Sequence, residues 1–463
     1  MYCVREQLLL YGSPWWFDTF PLPLYLRMQA NVSKITSEGM RVLIINTSER
    51  AGGAAVASRR LKDALNNNGV KAKMLVMHKE TDDITVVQLP GKLRQRIHFL
   101  WERWCVFCHL GFKRTHLFEL DLANAGSDIT QLPEFREADV IHLEWINQGM
   151  LSLKSIRRIL RSGKPVVWTM HDLWPATGIC HVTLGCQSYI GGCQRCKYLP
   201  RNHTARDLST RIYARKKQLY ASGNIHFVAC SKWLGAQARQ SGLLTGQHVT
   251  CIPNPIDTHI YNNMNAREAR RRCRLPEDKH VILFVSQRVT MQRKGISFFT
   301  EALRQLVAQY PEMKQDTVVA ILGGHADEVT PLLPLSAFPL GYVSDERRIV
   351  EVYNAADVFV NPSLDENLPN TIMESMACGV PCVGFRVGGI PEMIDHEQNG
   401  YVAKYRDADD LARGIRWVLC EADYAALSAA AVAKVHRCYS QRAVAMRYID
   451  EYNQALAYKK CGL

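Results

Sequence analysis

The sequence predicts an α/β protein of two domains, each a parallel sheet layered with helices. Three observations predict it. The chain has 463 residues, whereas a single hydrophobic core stops growing at roughly 250–300 residues. Short, nearly continuous apolar runs recur along it, the pattern of strands buried on both faces. Helical stretches separate those runs, and alternation of this kind builds parallel sheets covered by helices.

The elements follow in order. RVLIIN (41–46), DVIHLEW (139–145), PVVWTM (165–170) and IHFVAC (225–230) read as strands of the first domain. VILFVS (281–286), TVVAIL (317–322), VFVNPS (358–363) and PCVGF (381–385) read as strands of the second. The helices fall at 55–67, 151–162, 205–221, 297–310, 346–355, 371–378 and 408–420. The polar, basic stretch REARRRCRLPEDKH lies near the join. The domains are therefore placed at 40–255 and 256–440, with a C-terminal helix over 441–463 crossing back to the first domain. No internal repeat is visible.

Composition narrows the class. Apolar residues make up 47% and charged residues 22%, ordinary globular values that exclude a disordered or fibrous chain. No uncharged apolar run is long enough for a transmembrane helix. A surplus of 57 Lys and Arg over 44 Asp and Glu suits nucleic acid, an anionic membrane or phosphorylated substrates. Fifteen Cys cannot all pair, and most sit in apolar contexts, so a reducing compartment is expected. Residues 1–39 precede the first βα pattern. They read either as an upstream extension, with Met40 the natural start, or as a membrane arm using Trp15, Trp16 and Phe17. The insert 92–118 carries six Lys or Arg against one Glu, interleaved with Trp101, Trp104, Phe107 and Phe112. It suits either a helix lying on an anionic membrane or a helical pair with a solvated basic face.

The most specific stretch is SLDENLPNTIMESMACGVPCVGFRVGGIPEMI (363–394). Asn370 and Thr371 open a helix whose N-terminus offers free N–H groups to an anion. Glu374 lies one turn in, where a ribose could donate hydroxyls to it. Glu366 sits in the preceding loop. The glycines allow close approach of backbone to a ligand. This stretch resembles the E-x7-E signature of the retaining GT4 glycosyltransferases, and the likeness extends over residues 40 to about 455. WTMHDLWPATGICH (168–181) and the cysteines after it resemble the bacterial exopolysaccharide, colanic acid-type members.

That resemblance implies the GT-B fold, two Rossmann-like domains facing a cleft. It implies Glu374 as the carboxylate on the donor ribose and Glu366 as the one facing the donor sugar. Asn370 and Thr371 would contact the diphosphate or sugar. Arg288 and Lys294 would clamp the diphosphate, with Arg293 a rival for the second role. Positioned cations there would stabilise charge developing on the leaving nucleotide. His171 would contact the donor sugar. Gly52 and Gly53, in a tight turn between strand and helix, would face the reaction centre.

Two features stand apart. Glu144 follows His142 in HLEW, where close relatives are expected to carry HLHW, and could contact an acceptor or act as a base. Cys180, Cys186, Cys193 and Cys196 form C-x5-C-x6-C-x2-C. Their last pair has zinc-knuckle spacing, with His181 and His203 as alternate ligands. Disulfides, or reduced cysteines without metal, are the other readings.

The function expected is transfer of a sugar from a nucleotide-sugar donor, UDP before GDP, to a lipid-linked saccharide in bacterial surface-polysaccharide synthesis. Catalysis would need no cofactor, and zinc would be structural. The protein would be cytoplasmic, peripheral at the inner face of the cytoplasmic membrane. A nucleotide-sugar epimerase of the same fold is the alternative. Nucleic-acid binding is disfavoured because the basic residues are dispersed and no recognition motif occurs.

Overall fold

The computed structural model describes residues 39–199 and 206–460. Most of the N-terminal extension, with Trp15, Trp16 and Phe17, and also His203, lie outside the described residues. Seven strands make the first sheet: β1 (Arg41–Ile45), β2 (Lys71–Val76), β3 (Val86–Gln88), β4 (Val140–Leu143), β5 (Val166–Met170), β6 (Ile225–Ala229) and β7 (His248–Cys251). Their order is β3-β2-β1-β4-β5-β6-β7, and every pairing is parallel. Six strands make the second sheet: β8 (His280–Arg288), β9 (Thr317–Gly324), β10 (Ser336–Gly341), β11 (Val358–Asn361), β12 (Cys382–Phe385) and β13 (Gly400–Ala403). Their order is β10-β9-β8-β11-β12-β13, again all parallel.

The order of each sheet reverses at its first strand, so each is doubly wound. The central strands β4, β5, β6, β11 and β12 are buried along their whole length. Short polar residues start the helices that cover them. Ser152, Ser231 and Asp345 each accept a backbone N–H of the first helical turn, which satisfies donors that the helix itself cannot.

The C-terminal helix Gln441–Lys460 leaves the second domain and packs on the first. Tyr452 and Tyr448 hydrogen-bond His142 (2.7 Å) and Thr169 (2.9 Å). Its Glu451 accepts from His226 of β6 at 2.6 Å and lies 2.9 Å from His248 of β7. A chain that winds two parallel sheets in succession presents the C-terminal ends of both to a common crevice, where ligands of open α/β sheets bind.

Candidate functional site

One cleft of about 1060 Å³ lies between the domains and takes walls from both. From the first domain come Gly53, His171, Cys230 and Asn254; from the second come Arg288, Arg293, Lys294, Glu366, Asn370 and Thr371. His171 follows β5 and Cys230 follows β6, while Arg288 ends β8 and Glu366 follows β11. The charged groups are thus carried at strand ends, as the crevice rule requires. Among the described residues, Glu366 is the one carboxylate lining a cleft that also holds two arginines, a lysine and a histidine. The balance favours an anion.

Two helix N-termini open onto this space. The helix Gly53–Asn66 and the helix Asn370–Ala377 both begin without a side-chain cap. Their first N–H groups are therefore available, and both dipoles aim positive ends at the cleft. The two ends meet directly: Asn370 Nδ2 donates to the Gly53 carbonyl at 3.2 Å, and Asn254 Nδ2 donates to Asn370 Oδ1 at 3.1 Å.

The second-domain wall is shaped by glycine. Gly295 has φ 73° and its missing Cβ would fall 1.8 Å from the Pro362 carbonyl oxygen, so no other residue fits behind Lys294. Gly388, at φ 57°, would place a Cβ 1.6 Å from the Glu366 carbonyl oxygen. Both glycines let backbone pack closely against the loop carrying Glu366 and hold it in place. Lys294 Nζ contacts Glu366 directly, and Ser363 donates to the same carboxylate at 3.3 Å. Arg288 Nε donates to Thr290 at 3.1 Å, and Arg293 lines the cleft beside it.

Glu374 does not line the cleft. It is 8% exposed, its Oε1 accepts from Arg60 of the first domain at 2.7 Å, and its Oε2 accepts from Tyr353 at 2.9 Å. In this arrangement the carboxylate ties the domains together. Gly52 also stays outside the lining, at φ 91° just before Gly53.

Glu144 is 3% exposed and does not reach the cleft. It stands behind His171, with Oε2 2.5 Å from His171 Nε2 and Oε1 3.3 Å from His142 Nε2. Burial alone would lower His171. Hydrogen bonds to Cys230 and Glu144, with the Glu144 charge, overcome it and push His171 up to about 10. His171 is then an imidazolium facing the cleft at neutral pH. Burial instead pulls His142 down to about 4. Asp172 accepts from His181 at 2.8 Å, and His181 also meets Asp121 at 2.8 Å. His181 is thereby committed to two carboxylates and is not an alternate metal ligand.

The four cysteines Cys180, Cys186, Cys193 and Cys196 are free and border a separate cavity of about 590 Å³ with His116 and Tyr198. A tetrahedral zinc, with Zn–S of about 2.3 Å, needs sulfurs roughly 3.8 Å apart. Among the described residues the only three metal-ligand groups within 4.8 Å of one another are His226, His248 and Glu451. No three of the four thiols lie within that distance of one another in this structure. Burial raises Cys180 to about 12 and Cys193 to about 11, which keeps both protonated.

Comparison with known proteins fits this geometry. Residues 51–260 match the family model described as Glycosyltransferase Family 4, and residues 279–421 match the one described as Glycosyl transferases group 1. The first domain is thus similar to Glycosyltransferase Family 4 and the second to the group 1 glycosyl transferases. A D-inositol 3-phosphate glycosyltransferase of Streptosporangium roseum is 31% identical over 220 residues, 44% of this chain and 50% of the relative. One of Thermobispora bispora is 28% identical over 222 residues, 45% of this chain and 51% of the relative. The chain spans about half the length of the curated relatives it matches. A glycosyltransferase from Rickettsia africae shares the fold at TM-score 0.62 and 15% identity, over 90% of this chain and 99% of that one. Anabaena Alr3699/HepE, solved with UDP and glucose, does so at TM-score 0.58 and 15% identity, over 89% and 99%. The fold is thus GT-B.

Several site residues were not assigned from the sequence. Asn367 sits inside the quoted motif, yet its role appears only in three dimensions. It donates to the His171 carbonyl and to Cys230 Sγ, both at 2.9 Å, and accepts from Ser231 at 2.5 Å. Arg60 and Tyr353, the partners of Glu374, carry no sequence signal.

Proposed function

We propose that the protein is a retaining transferase. It moves a sugar from a nucleotide-sugar donor, UDP before GDP, to a hydroxyl of a lipid-linked saccharide in surface-polysaccharide synthesis, working peripherally at the inner face of the cytoplasmic membrane. The observation that carries this reading is the cationic cleft, where two uncapped helix N-termini meet beside Arg288, Arg293 and Lys294 on a family 4 scaffold. Such a site suits a diphosphate. As the bond from the anomeric carbon to phosphate breaks, charge grows on the leaving diphosphate. Lys294, Arg288 and the helix amides stabilise it without needing a divalent cation. Glu366 holds Lys294 in position and faces the donor sugar, and His171 adds a second cation across the cleft. Attack then comes from the face that the diphosphate leaves, with a phosphate oxygen taking the acceptor proton. Glu374 takes the ribose hydroxyls by exchanging its contact with Arg60. HepE, solved with UDP-glucose, supports UDP as the first donor to try.

Thermal unfolding with UDP, GDP and ADP tests the binding half of this reading. A ligand at about 100 times its Kd adds roughly 2.7 kcal/mol to the folded state. Stabilisation by UDP that Glu374→Gln weakens is the expected result; no response to any diphosphate sinks the proposal. Proton NMR of the product anomer, with α-linked donors, tests retention. Inositol phosphate as a competing acceptor separates the lipid-linked class from the one named in the curated relatives.

A further inference from the structure

We propose that the outer face of the helix Lys92–His109 is a docking surface for an anionic lipid bilayer. It specifies the membrane contact of the preceding section and rests on that reading only for its purpose, not for its observations. The helix presents Leu93, Ile97, Leu100, Trp101 and Trp104 along one side, each more than half exposed. Their spacing of three and four residues makes a single apolar stripe. Phe112 extends it beyond the helix end, 65% exposed and packed edge-on against Trp104 and Phe107. A continuous exposed patch of this kind marks an interaction surface.

The stripe cannot turn inward, because the opposite face is already fixed. Glu102 accepts the backbone N–H of Leu122 (2.9 Å) and of Ala123 (2.6 Å). Arg103 pairs with the fully buried Asp121, and Gln95 donates to the Leu89 carbonyl. Val106 and Leu110 lie in a local apolar cluster. Among the described residues nothing covers the stripe, which leaves it open to a partner. Charge identifies it. Lys92, Arg94, Arg96, Lys113 and Arg114 are exposed around the patch, and the one acidic residue between 92 and 118, Glu102, is buried. A second copy would bring like charges together, which opposes association. A phosphate backbone would meet the cations but leave the aliphatic centre uncovered. A bilayer with anionic headgroups satisfies both parts, with indole rings at the interface and cations among the headgroups. The inner face also links this surface to the cleft. Arg103, Asp121, His181 and Asp172 form one continuous chain of contacts, and Asp172 adjoins His171 in the cleft wall. An acceptor held in the bilayer would thus be presented beside the donor.

The test is sedimentation of the full-length chain with vesicles of phosphatidylcholine alone or mixed with phosphatidylglycerol. Wild type is expected to pellet with the mixed vesicles and to be released partly by salt. Leu100→Ser/Trp101→Ser/Trp104→Ser should lower partitioning at least about tenfold, and Lys113→Glu/Arg114→Glu should do so by about tenfold. Trp15, Trp16 and Phe17 stay intact in both variants, so the loss assigns binding to this face. Thermal unfolding with UDP, measured on the same variants, should match wild type. Vesicle binding with no UDP response would overturn the donor reading and leave this one standing. Failure of wild type to pellet, unchanged binding by the triple variant, or a wild-type dimer that the triple variant dissociates would each overturn the docking surface.

Discussion

The two walls of the cleft are built in different ways. The second-domain wall is local. Arg288, Arg293 and Lys294 come from the end of β8 and the turn after it, and Glu366 to Thr371 from the loop after β11 and the start of the next helix. Its charged groups stand at the surface, and glycines 295 and 388 fix the backbone beneath them. The first-domain wall is assembled from afar. His171 leans on Glu144, while Asp172 leans on His181, Asp121 and Arg103, from four separate segments and mostly buried. A wall made of two short segments tolerates change at its surface charges but not at its glycines. A wall made of buried, mutually compensating charges tolerates neither loss nor reversal of any member.

The largest expected effect breaks the assembled wall. Asp121→Ala leaves Arg103 and His181 without their shared carboxylate in the interior. Removing one partner of a buried pair costs about 3–5 kcal/mol, so urea unfolding of this variant should shift accordingly. A loss below about 1 kcal/mol would show that the chain of charges is not a unit. On the local wall, Lys294→Ala should leave the fold intact and lower turnover by about 10²–10³, the scale for one positioned group on a developing charge. An effect confined to KM would make Lys294 a plain binding contact.

Two smaller effects sharpen the contrast. Glu374→Gln should weaken UDP binding by about tenfold, roughly 1.4 kcal/mol, by calorimetric titration. Equal affinity would leave Glu374 with only its contact to Arg60. Glu144→Gln acts through pH. His171 is raised to about 10 in the folded protein, above its unfolded value near 6.5. Its charge therefore stabilises the fold fully below about pH 6.5, and this is lost as pH rises through about 10. His181, also raised to about 10 by Asp172 and Asp121 against burial, adds to the same slope. Thermal unfolding of Glu144→Gln between pH 7 and 10 should show a shallower decline than wild type. An identical slope would mean that Glu144 does not hold the imidazolium.

This contrast also explains what the sequence could and could not disclose. The glycosyltransferase motif was legible because its residues are contiguous, and so were the buried strands that read as apolar runs. β2, KAKMLV, went unread because it alternates exposed lysines with buried residues. β3 and β10 are edge strands, short or half-exposed. Glu144 was noticed but misplaced: a strand-end carboxylate looks ready to meet substrate, and only packing shows it turned behind His171. Arg60 and Tyr353 could not be found at all, because a helix arginine 314 residues from Glu374 and a helix tyrosine 21 residues from it say nothing of that carboxylate. The cysteines are a different case: their spacing is that of a metal site and all four border one cavity, but among the described residues no three of their sulfurs lie within 4.8 Å of one another.

The chain passes between the domains twice, and the two passages lie side by side. Ile256 donates to the Tyr439 carbonyl at 2.8 Å and accepts from Gln441 N at 3.1 Å. The helix that follows is then locked to the first sheet through Tyr448, Glu451 and Tyr452. A single connecting strand would let one half swivel as well as bend. Two passages joined by a parallel bridge and two hydrogen bonds act as a spine, as in a book, which resists torsion and keeps Asn370 facing Gly53.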